Sequence, residues 1–105
     1  TNPEASMSDT ETYIKFRKRA DAYIKVANEQ TEHASVEQTG FSLLFAAARF
    51  NSFLVYTLAG SAEEMAGQRQ RAIEYFSEQY IRMLKENFDD HVENFDTYRK
   101  MSMSD

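Results

Sequence analysis

The chain has no cysteine, no tryptophan, one proline and three glycines among its 105 residues. Without cysteine there is no disulfide, no thiolate nucleophile and no Cys-based zinc site, although either side of a cell membrane tolerates that lack. The three glycines are scattered at 40, 60 and 67, so no Gly-rich segment forms a phosphate-cradling loop or a nucleophile elbow, and no such motif is present. The same scarcity of turn residues, with long stretches of Ala, Glu, Lys, Arg, Gln, Leu and Met, argues against a sheet and for an all-α chain. Basic charge is also short: twelve Lys and Arg against seventeen Asp and Glu give a net charge of −5. That field repels phosphate backbones, so nucleic acid is not an expected partner. Thr1 to Ser6 has neither a basic region nor an apolar run, so no signal peptide is visible and the cytoplasm is the expected location. Residues 1–6 read as a disordered leader before "MSDTE", and residues 7–105 as a single helical domain.

Three helix starts share one device, a serine followed three residues later by Glu or Gln, which lets the two residues satisfy free backbone N–H groups reciprocally. The pairs are Ser8/Glu11, Ser35/Gln38 and Ser61/Glu64. With Gly60 read as a left-handed helix stop, they predict helices over about 9–34, 36–59 and 62–88, the last continuing or restarting to about 99. Helix one carries one stripe, Tyr13, Phe16, Ala20, Tyr23, Ala27 and Ala34, widened by Ile24. Helix three carries another, through Met65, Ile73, Phe76, Tyr80, Met83 and Leu84. Helix two is apolar nearly all round. Two one-sided helices beside a many-sided one predict an antiparallel three-helix bundle with a long third helix or a short fourth one.

The tail repeats "ENFD", at Glu86–Asp89 and again at Glu93–Asp96. Seven residues are two helical turns, so Phe88 and Phe95 share a face, with Val92 between them and Tyr98 beyond. A break near Asn87, with Asp90 and Glu93 opening a short fourth helix, is the alternative. In either case the third segment overhangs the first two. Its last stripe then lacks a partner within one chain, so the bundle is expected to be completed by oligomerisation, as a homodimer.

Fourteen of the nineteen residues from Phe41 to Ala59 are apolar, the one stretch resembling a membrane span. Arg49 at its centre would cost about 3 kcal/mol or more in lipid. A soluble core helix is therefore expected, with no membrane span.

Arg49 aligns with Ser42, Phe45, Ser52 and Tyr56 on helix two, whereas Asn51 aligns with Leu44, Ala47, Val55 and Leu58. If the helices run up, down, up, equal depths on helices one and two have numbers summing to about 70, which sets Asp21 level with Arg49. Glu74 is the second candidate. A buried unpaired arginine would destabilise by about 3–5 kcal/mol, so a seam ion pair of Arg49 with Asp21 or Glu74 is expected. Asn51 is expected to be a hydrogen-bonded core amide. The competing reading is an apolar aromatic cavity near Arg49 and Asn51, with Phe45, Tyr56 and Tyr80, binding a small ligand.

No catalytic residues, metal site or cofactor are indicated. The Glu-x-x-His pairs of di-iron bundles are missing, and His33 and His91 are far apart in the sequence. The five carboxylates from Glu86 to Asp96 lack the glycine and spacing of an EF-hand loop. "KFRKR", Lys15–Arg19, has four basic residues in five and is expected to answer acidic groups, Glu63 and Glu64 or the acidic tail of a second chain packed antiparallel.

In order and character, "ADAYIKVANEQ", "LLFAAARFNSFLVY" and "AIEYFSEQYIRMLKENFDDHVENFD" resemble a small bacterial family of uncharacterised proteins, domain of unknown function 3144, over nearly all of Tyr13 to Tyr98. The resemblance implies a bacterial, cytoplasmic helical domain and assigns no activity. The reading that follows is a non-enzymatic helical assembly module that self-associates.

Overall fold

A computed structural model describes the backbone of residues 3–104 and the side chains of residues 9–101. Every element among them is an α-helix: α1 (Pro3–Gln30), α2 (Val36–Leu58), α3 (Ala62–Gly67), α4 (Arg69–Glu93) and α5 (Phe95–Ser104). The expected all-α class is what the chain adopts. It divides into two units, Thr1–Phe50 and Asn51–Asp105, with the boundary inside α2.

In the first unit α1 begins at Pro3, earlier than residue 9, and its backbone is helical through Ser8. A proline suits a first helical position because its missing N–H would have no partner there in any case. The Ser8 side chain lies outside the described residues. The helix ends at Gln30, short of residue 34, and the chain tightens into i→i+3 bonds, Glu32 N–H to Glu29 O at 3.2 Å and His33 N–H to Gln30 O at 3.0 Å. The Thr31 hydroxyl competes by donating to the Asn28 carbonyl. α2 then starts on the reciprocal cap read from the sequence. The Gln38 N–H donates to Ser35 Oγ at 3.0 Å, and the Ser35 N–H to Gln38 Oε1 at 3.1 Å.

In the second unit Ser61 caps α3, accepting from the Glu64 N–H at 3.1 Å, while the Glu64 carboxylate reaches back to the N–H of Gly60. Gly60 is not the left-handed stop predicted, since no described glycine has positive φ. A Cβ at Gly60 would stand 2.7 Å from Glu64 Oε2, the flexible end of an exposed side chain that can move aside. The third helix is not continuous. α3 stops at Gly67, a poor helix former, and α4 restarts after Gln68, whose carbonyl accepts from the Ala72 N–H at 3.0 Å. α4 passes through Asn87 unbroken, and the interruption falls at Asn94, with φ −109° and ψ 25°.

Burial departs most from expectation. No apolar side chain among the described residues is buried, and helix two, expected to be a core helix, has Phe45 69% and Leu58 79% exposed. A helix apolar on every side needs neighbours on every side, and the other helices of one chain do not provide them. By length and composition α2 is also the one described helix able to cross a membrane.

Candidate functional site

Phe45 and Arg49 lie on the part of α2 in the first unit, and both are exposed. Asp21 on α1 is exposed too. The requirement that Arg49 have a partner depended on enclosure, and its present exposure lets water solvate the guanidinium. In the second unit Asn51 is half-buried, Tyr56 and Tyr80 are exposed, and Glu74 accepts from Gln70 Nε2 at 3.0 Å. Tyr56 stacks on Phe53, ring centroids 5.9 Å apart. Among the described residues no three of His, Asp and Glu converge as metal ligands.

Thr39 is a site residue that pattern reading missed. It is the sole described residue that is buried, 8% exposed, and its Oγ1 has no hydrogen-bond partner. It lines an open cleft of about 700 Å³ between the end of α1 and the start of α2. Tyr23, Val26, Ala27, Phe41 and Leu43 supply the apolar lining, and Gln30, Glu37 and Gln38 the polar groups. No sequence pattern marked it, because its burial depends on how the end of α1 meets the start of α2.

At the far end of the chain the α4–α5 joint is tied by polar contacts. Tyr98 donates its hydroxyl to Asp90 Oδ2 at 2.6 Å, and Asn94 Nδ2 donates to Asp90 Oδ1 at 2.8 Å. Arg99 lies 4.6 Å over the Phe95 ring, and His91 packs against Tyr98 at 5.0 Å. One carboxylate before the interruption thus holds both Asn94 at it and Tyr98 beyond it. The outer apolar row is left open, with Phe88, Val92 and Phe95 all more than half exposed.

The arrangement offers apolar helix faces edged by charge and one partly lined cleft. No curated protein and no solved structure matches the chain. A family model described as protein of unknown function (DUF3144) matches residues 16–92, from the middle of α1 almost to the end of α4. The chain belongs to that family.

Proposed function

We propose that this protein is a non-enzymatic assembly module that self-associates, its helices completing an antiparallel bundle with those of a second copy. The observation that carries this reading is the open apolar surface: Phe41, Phe45, Phe50 and Leu58 on α2 and Phe88, Val92 and Phe95 on the tail are all exposed in one chain. Ordering about a hundred residues costs on the order of 100–200 kcal/mol in conformational entropy, which burial must offset. Most helical stability in proteins comes from packing an apolar face rather than from propensity, so a second copy supplies the missing burial. Lipid is the rival apolar medium, since α2 is long enough to span it. It would still have to accept Arg49, and it would leave the α1 and α4–α5 stripes in water.

Light scattering at micromolar concentration tests the proposal, with vesicle flotation beside it. A mass of two chains and no flotation is the expected result. A monomer whose tail resists proteolysis overturns it, and co-flotation with neutral vesicles replaces it with a membrane role. The cleft at Thr39 favours a second reading, a small apolar ligand with one hydrogen-bonding group for the orphan hydroxyl. A thermal-shift screen of metabolites decides this, because ligand at 100 times its Kd stabilises by about 2.7 kcal/mol. No shift with any compound removes that reading.

A further inference from the structure

Tyr13, Phe16, Ala20, Ile24 and Ala27 on α1 are spaced three, four, four and three. Ile81, Leu84, Phe88 and Val92 on α4, with Phe95 opening α5, have the same spacing. At 100° per residue the α1 set and Ile81 to Val92 of α4 each form a stripe about 80° wide, with Phe95 beyond the interruption at Asn94. The large members are exposed in both cases, Phe16 45% and Phe88 65%. The spacing reads the same in both directions, so apolar fit alone allows parallel or antiparallel pairing. Charge at the stripe edges separates them.

Along one edge of the α1 stripe lie Arg17 and Asp21, and along the same edge of the α4 stripe lie Lys85 and Asp89. Antiparallel packing of two helices brings like edges together, and a two-fold axis repeats the α1–α4 contact with the copies exchanged. Tyr13 then faces Phe95, Phe16 faces Val92, Ala20 faces Phe88, Ile24 faces Leu84 and Ala27 faces Ile81. At the edge, Arg17 meets Asp89 and Asp21 meets Lys85, both opposite in sign. A parallel pairing instead sets Arg17 and Asp21 against His91 and Asn87 and leaves Lys85 and Asp89 sharing Arg19.

We propose that the α1 stripe of one copy packs antiparallel on the α4–α5 stripe of a second copy, reciprocally, with Arg17–Asp89 and Asp21–Lys85 pairs setting the register. The proposal rests on the self-association reading and makes it specific. Arg17 already donates to the Tyr13 hydroxyl at 3.4 Å, which holds its stem along the stripe.

Two charge-reversed chains test it. One carries Arg17→Asp with Asp21→Lys, the other Lys85→Asp with Asp89→Lys. Alone, each sets like charges across both interfaces and is expected to dimerise roughly tenfold or more weakly than wild type at low salt. Mixed in equal amounts, they form a heterodimer in which every edge pair is again opposite, and the wild-type dissociation constant returns. Circular dichroism verifies that each chain keeps its helicity. If wild type is itself monomeric, self-association fails and this register with it. If wild type dimerises and both reversed chains dimerise as strongly, the register alone is overturned. If both are weakened and the mixture stays monomeric, the pairs do not act between copies and the proposal is overturned.

Discussion

Ser35 and Ser61 each give one hydroxyl to a backbone N–H three residues on, at 3.0 and 3.1 Å. Ser35→Ala or Ser61→Ala leaves that N–H to solvent, and each is expected to lower stability by about 1 kcal/mol in urea unfolding. These caps were legible because both partners lie within four residues of each other. The left-handed stop expected at Gly60 is not formed, since its φ is not positive. Gly60→Ala moves only the flexible end of the exposed Glu64 side chain and is expected to change stability by less than about 0.5 kcal/mol, read from the same unfolding curves. Thr39 was not legible at all, because its burial depends on how the end of α1 meets α2. A nearly isosteric Thr39→Val removes an unpartnered buried hydroxyl and is expected to be neutral or to stabilise by up to about 1–2 kcal/mol. A clear loss in the denaturant midpoint would mean that the hydroxyl finds a partner in the assembled protein.

Helix existence and class follow from composition and period, whereas the breaks follow from local competition for hydrogen bonds. Asn87 and Asn94 are the same residue type, each with its side-chain amide on a carbonyl four residues back, to Met83 at 2.8 Å and to Asp90 at 3.2 Å. Only Asn94 also engages the Asp90 carboxylate, which in turn accepts from Tyr98. The interruption forms where the polar contacts are most numerous, which a repeat such as "ENFD" does not reveal. Tyr98→Phe removes the tie across the joint. Faster amide hydrogen exchange in Phe95–Met101 is the expected outcome, with α4 protection up to Met83 unchanged.

For the whole molecule, what decides behaviour is where the apolar stripes find cover. Phe88 lies at the centre of the tail stripe and is 65% exposed in one chain, so Phe88→Asp has little to disrupt within that chain. It is expected to weaken self-association at least tenfold in sedimentation equilibrium, while helicity at high protein concentration falls only slightly. Equal association of Phe88→Asp and wild type would place the interface elsewhere. In a self-associating chain the melting temperature also rises with concentration. The sequence by itself determined the all-helical class, the caps at Ser35 and Ser61, and the positions of the stripes, because each depends on residues within a turn or two of one another. Only the tertiary structure decided that those stripes stay uncovered, that Thr39 is the residue enclosed and that Arg49 meets solvent. Burial is a relation between distant segments, and periodicity shows that a face is apolar without showing what, if anything, lies against it.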